Sequence, residues 1–408
     1  MALRRLRALI WVAATVAAGG GCRSGNPEVY PSWTAEPVPY TPREDSANAF
    51  DAYALAAVDA EAKGGVSINR VSFFPGQKKD AALAIKSEVD KVLSASKQPC
   101  EFKFVAHKPF QPVQYQRGWR LIGRVILWKV EDACEAADYD TAVRFAVAGT
   151  RFGFGLTGGG ATDASLGLAI ADDLRKAIAP SLAKMSAAQL DHLGQGIKAA
   201  LDAKPAISAS IIHERENSYL MIQYLQDAMR SDKLKDVISN LGPDVNEPMS
   251  YLGGIADNPS KRTAYFDELA KAAAAETASL EQESEIAASA RKHERPKYDE
   301  HWRKLAKHIF GSARPLLGIN DATMARTRLL VLYAQVTRIG LQHKPFPQDL
   351  SAFTPALIID PYSGAPFIYH ADPAEFSIYS VGSNGQDDGG DTDSSFTKPD
   401  LRLEIPFQ

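Results

Sequence analysis

The stretch Tyr379–Ser395, YSVGSNGQDDGGDTDSS, gathers the donors of a hard-cation site within a few turns of chain. Asp387, Asp388, Asp391 and Asp393 supply carboxylate oxygens, Asn384 adds an amide oxygen, and the interspersed glycines let backbone carbonyls turn inward. Calcium takes such donors, about six to eight oxygens at roughly 2.3–2.6 Å. An EF-hand is excluded, because no register here combines Gly at the sixth place with Glu at the twelfth. The competing reading is an acidic, solvated turn with no ion, in which carboxylate repulsion is a modest cost in salt.

Other constellations carry less. Gly153, Gly155 and Gly158 spell G-x-G-x-x-G, but a nucleotide turn needs a strand before it and a helix after it. The preceding DTAVRFAVAGTRF reads as a helix, so a helix-helix corner is expected there. His213-Glu214 and His293-Glu294 lack the second His of a zinc-binding H-E-x-x-H, and Pro296 would break the second helix. No G-x-S-x-G occurs, and Ser363 and Ser380 sit in turn-like contexts, which leaves no nucleophile to name.

These residues must be positioned by a chain of 408 residues, 45% hydrophobic, with a formal net charge of -3. It is long enough for one large core or two ordinary ones, and it has no basic, aromatic-interleaved stripe for nucleic acid. Apolar residues at helical spacing recur in NAFDAYALAAVDAEA, in KKDAALAIKSEVDKVLSAS after a Phe-Pro-Gly turn, and on both sides of the Asp138-Tyr139-Asp140 corner. The pattern continues to about Ala313, with breaks at Pro205 and across ISNLGPDVNEPMSYLGG. After Asn320 it changes: one amphipathic helix, with Leu329, Leu332, Tyr333 and Val336 on its core face, ends at Gly340, Pro345 and Pro347. Short runs with turn residues follow, and FIYH, FSIYSV and LRLEIPF read as strands. The fold class is therefore mainly α: an irregular, solenoid-like helical array (46–319), then a small α+β C-terminal module (320–408).

The start of the chain has a different grammar. MALRRLR, the apolar ALIWVAATVAA and GGGC form the three regions of a secretory signal, with an apolar run too short to span a bilayer. Cys22 after three glycines resembles the lipobox of bacterial lipoproteins, although Gly19 stands where that motif usually has Leu. The resemblance implies lipidation at Cys22, residues 1–22 as signal, and the Pro-rich 23–45 as a tether. Arg23 replaces the Asp that retains many lipoproteins at the inner membrane, which implies the outer membrane. An oxidising compartment makes Cys100 and Cys134 candidates for a disulfide, whose loop closure would stabilise by about 3–4 kcal/mol, with two separate buried thiols as the alternative.

Within the C-terminal module, Pro347 and Leu350 are followed by Asp360, Pro361, Gly364, Pro366, Phe367 and Tyr369, then by Tyr379–Gly382, Asn384, Gly385, Gly389 and Gly390. This order resembles the soluble domain of the major, G-like pseudopilins of type II secretion, and covers about Arg326 to Gln408. The resemblance implies a calcium-binding loop and a place near secretion or envelope assembly. Two departures stand out: the module lies at the C-terminus behind a lipobox-like signal, so it should not polymerise as a pilin, and Asn384 stands where the family often has Asp.

The resulting expectation is a non-enzymatic, lipid-anchored cell-envelope protein with a helical interaction domain and a calcium-stabilised module, its partners being the membrane and envelope or secretion proteins. An envelope hydrolase with its site in the helical domain is the alternative, recognisable if His213, Glu214 and neighbouring polar groups converge in a pocket.

Overall fold

The computed structural model describes residues 40–104, 109, 113–230, 246–255, 257–291, 309, 313–390 and 400–403. These lie in one compact unit, Trp33–Gln408. The architecture is mostly helical with a small three-stranded antiparallel sheet. Cys22 with its signal and most of the tether, His293-Glu294, Asp391 and Asp393 fall outside the described residues.

Several helices start where local chemistry supplies a cap. In α1 (Ala49–Gly64) the Asn48 side chain accepts from Phe50 N, and Phe50, Tyr53, Ala57 and Ala60 form the buried face. Phe-Pro-Gly, expected as a turn, instead opens α2 (Pro75–Ala84), with Pro75 at its first position, where its missing N–H costs nothing. The single helix expected beyond it breaks at Ile85, which leaves helical geometry with its side chain fully buried, and α3 (Lys86–Ala95) follows. Asp138 caps α5 (Tyr139–Leu156) after α4 (Gln116–Glu135), so the Asp-Tyr-Asp corner joins two helices as its sequence indicates.

Glycines set how closely these helices cross. A Cβ on Gly118 would sit 2.1 Å from Ala57 O, and one on Gly167 of α6 (Ala161–Ile178) would sit 2.1 Å from Gly153 O of α5. Trp119 Nε1 donates to Tyr53 O at 2.9 Å across the first of these crossings. A Ser186/Gln189 capping box starts α7 (Ala187–Asp202), and Pro205 separates it from α8 (Ile207–Arg230). Next come α9 (Asn246–Ile255) and α10 (Pro259–Ser284), the latter packed on α8 through Leu225, Phe266 and Leu269.

The helix expected to begin after Asn320 begins earlier. It is α11 (Ala313–Leu341), which runs unbroken through Gly318 and Asn320 and packs on α6 and α7. Asp321 lies inside it and forms a buried ion pair with Arg291, Arg291 Nη2 to Asp321 Oδ1 being 3.1 Å. Leu329, Leu332 and Val336 are fully buried, as their spacing indicates. Beyond α11, a one-turn α12 (Pro355–Ile358) precedes the sheet.

All three expected strands form: β1 (Ile368–Ala371), β2 (Phe376–Ser380) and β3 (Leu401–Arg402), in the order β1-β2-β3. Ile368 faces Tyr379 and Tyr379 faces Arg402, so β2 is central. The sheet does not stand apart. One hydrophobic core includes Phe50 and Trp119 at one end of the sequence and Leu357, Phe367, Ile378 and Leu403 at the other.

Candidate functional site

The sequence signatures of the C-terminal region are bonded to one another. Asp360 is buried and organises two of them: Tyr362 N donates to its Oδ1 at 3.0 Å, while Ser380 Oγ and Val381 N donate to its Oδ2 at 2.9 and 3.1 Å. The Asp-Pro turn is thereby tied to the end of β2. Burial is the main influence on the Asp360 carboxyl and raises its pKa, against which these donors act. Tyr369 OH donates to Pro347 O at 2.9 Å, joining β1 to the segment after α11. Arg328 of α11 donates to Ile359 O at 2.6 Å, and Ala288 and Ser289 donate backbone N–H groups to Pro361 O and Tyr362 O.

From β2 the chain enters the acidic loop. Gly382, Gly385, Gly389 and Gly390 all take positive φ, between 62° and 76°, the left-handed region that side chains disfavour. Tyr379 OH and Gly389 N both donate to Asp387 Oδ1, at 3.0 and 2.9 Å. Asn384 Nδ2 donates to Asp388 Oδ2 at 2.8 Å, and Asn384 Oδ1 accepts from Gln386 N at 3.0 Å. Asn384, Asp387 and Asp388 are thus brought together.

Sequence reasoning missed Asp400. It is fully buried at the start of β3, and its Oδ2 accepts from Asp388 N at 3.0 Å and from Gly390 N at 2.8 Å. Its Oδ1 is buried with no hydrogen-bond partner. Burial raises the Asp400 pKa above the usual carboxylate range, and the nearby Asp388 and Asp387 push it the same way. Its local sequence carries no signal for this place, which it takes from the loop it meets in space. Arg402 donates to Gly389 O at 2.9 Å and stacks over the Tyr379 ring, its centroid 5.3 Å away.

As a cation cradle, the described part contains a buried carboxylate oxygen without a partner, two further carboxylates whose charge it feels and four glycines at positive φ. Among the described residues there is no group of three or more His, Cys, Asp or Glu side chains already clustered for a metal ion. Asp387, Asp388, Asp400 and the Asn384 carbonyl fit calcium by donor chemistry, all being oxygens.

The two cysteines do not pair. Both are free thiols, and they lie toward opposite ends of α4. Cys100 precedes Phe102, which packs on Trp119 near the helix start, whereas Cys134 is at the helix end. Fifteen residues of helix separate Trp119 from Cys134, about 22 Å at 1.5 Å per residue, beyond the ~7 Å Cα reach of a disulfide. Burial pushes the Cys100 thiol up to about 12, so it is not a reactive thiolate.

Gly153, Gly155 and Gly158 are helix-corner residues: Gly153 lies against the α6 backbone, and α5 rather than a strand precedes the turn. At this corner His213 and Glu214 meet two groups the sequence did not single out, Asp163 and Asn217. Glu214 Oε1 accepts from Ala161 N at 2.7 Å, capping α6, and from Asn217 Nδ2 at 3.2 Å. His213 stacks flat on Phe104 with centroids 4.1 Å apart, and burial lowers its pKa. Asp163 is buried and its pKa is raised to about 7, first by burial and then by Glu214, against a backbone bond from Gly160.

No family model, curated protein or solved structure matches this chain. No helix among the described residues is long and apolar enough to cross a membrane.

Proposed function

We propose that this chain is a non-enzymatic, lipid-anchored envelope protein whose C-terminal region is a pseudopilin-like module stabilised by calcium. The observation that carries the calcium reading is Asp400: a fully buried carboxylate with one oxygen unpartnered, facing a loop that also presents Asp387 and Asp388. A buried carboxylate oxygen left without a partner is costly, and a cation removes that cost. Asp387, Asp388, Asp400 and Asn384 would hold the ion, with Asp391 and Asp393 as further donors from the sequence. The ion would supply charge neutralisation and fix the β2–β3 connection.

The module reading draws on the bonds between its signatures, Asp360 to Ser380 and Val381, and Tyr369 to Pro347. The helical body, which we read as an irregular array, offers the interaction surface toward envelope or secretion proteins. A hydrolase centred on His213 and Glu214 is the less favoured alternative, because Glu214 caps α6 and His213 is stacked on Phe104.

The calcium reading is tested by the thermal unfolding of the full chain with calcium and with chelator, in wild type and Asn384→Asp. Asp at this position loses the bond to Asp388 and adds a charge beside it. The variant is expected to be less stable than wild type in chelator and to gain more stability from calcium. Equal midpoints with and without calcium in both proteins would refute the reading. The anchor is tested separately by fractionation: Cys22→Ser is expected to leave the membrane fraction and lack acyl chains, and unchanged membrane association would count against lipidation.

A further inference from the structure

Outside the C-terminal loop, one concavity brings together three cations, Lys97, Arg144 and Arg151, with His192 on its rim. It measures about 350 Å³ and lies between α3, α5 and α7. Lys97 follows α3, Arg144 and Arg151 project from α5, and His192 projects from α7. Arg144, Val147, Ala148 and Arg151 fall at i, i+3, i+4 and i+7, one face of a helix, so both guanidinium groups flank the same apolar floor. That floor is completed by Leu93 and Phe145, and Ser94 and Ser96 add hydroxyl groups.

The groove carries three cations against one lining carboxylate. Among the described residues, Lys97, Arg144 and Arg151 form no ion pair, while the one carboxylate on the rim, Asp90, is engaged by Lys86. The chain as a whole carries a net charge of -3, so the cluster runs against its background. Like charges around one concavity attract an anion, with Lys97 and Arg144 exposed to solvent and Arg151 half-buried. Two guanidinium forks and an ammonium match a phosphate group, and the volume is at the small end of ligand pockets.

We propose that this groove binds a phosphate-bearing ligand, with the phosphate held by Arg144, Arg151 and Lys97 and an apolar portion resting on Leu93 and Val147. That chemistry belongs equally to a soluble phosphomonoester and to an anionic lipid headgroup, and the test separates them. Phenyl phosphate is titrated calorimetrically into the full chain as wild type, Arg144→Gln/Arg151→Gln, Lys97→Gln and Lys129→Gln, the last being an exposed cation on α4 away from the groove. The same proteins are sedimented with phosphatidylglycerol vesicles and with neutral phosphatidylcholine vesicles.

The double variant is expected to lose at least tenfold in phosphate affinity, or in the excess binding to anionic over neutral vesicles, while Lys129→Gln matches wild type. Lys97→Gln lies outside the helices and keeps the test valid if the double variant folds poorly; a several-fold loss is expected for it. Response in the calorimetric arm assigns a soluble ligand, and response confined to the vesicle arm assigns a lipid headgroup. Absence of binding in both arms at millimolar ligand, or equal binding by wild type and the groove variants, overturns the proposal.

Discussion

Asp163 shows how burial beside another carboxylate changes what a residue does. Its carboxyl is at the corner between α5 and α6, buried beside Glu214, and its pKa is raised from 3.8 to about 7. A raised acid pKa means that the folded state holds a proton that the unfolded state has released. Stability from this group is fully present below about pH 4 and is lost as pH rises toward 7, by up to ~1.4 kcal/mol per pH unit. Asp163→Asn removes that dependence: denaturant unfolding is expected to show the variant gaining on wild type from pH 4 to pH 7, with a constant gap above. A gap that does not change with pH would show that Asp163 does not titrate in this window. Neither Asp163 nor Asp400 was legible from sequence, for the same reason. Each is an ordinary acidic residue in its local pattern, and it acquires its character from distant neighbours, Glu214 in one case and the acidic loop in the other. The proximity of Asn384 and Asp388 was legible because they are close in sequence as well as in space.

At the scale of elements, the periodicity of apolar residues located most helices, although α9 forms largely inside the ISNLGPDVNEPMSYLGG stretch expected as a break, and strand signals located β1, β2 and β3. Boundaries were harder where packing outweighed local propensity: Ile85 breaks a continuous helical pattern to bury its side chain, and α11 continues through Gly318 and Asn320 because its two ends pack on the helical body. The glycine triplet had two readings, and the geometry of the crossing decides between them. Gly167 and Gly153 let α5 and α6 approach backbone to backbone, so a methyl group at Gly167 meets a carbonyl rather than a side chain able to move aside. Gly167→Ala is expected to destabilise by about 3 kcal/mol, the upper end for overpacking, measurable as a lower denaturant midpoint. A neutral substitution would mean that the two helices separate without cost.

For the whole molecule, the body and the sheet share one hydrophobic core, with the buried Arg291–Asp321 pair fixing α11 to the segment after α10. The strand that leads into the β2–β3 loop is bonded to Asp360 through Ser380 and to α11 through Tyr333, whose hydroxyl accepts from Ile378 N at 3.3 Å. The sequence pattern placed a boundary near residue 320 because composition changes there; a core shared across that position leaves no trace in local composition. The central claim is the calcium ion proposed for the β2–β3 loop. Calorimetric titration of calcium into the full chain, as wild type and as Asp400→Asn, addresses it directly. The account predicts one site in wild type with a dissociation constant on the order of 10⁻⁴–10⁻³ M or tighter, as in extracellular calcium modules, and a loss of at least tenfold in the variant. No heat at millimolar calcium, or the same affinity in both proteins, would contradict it.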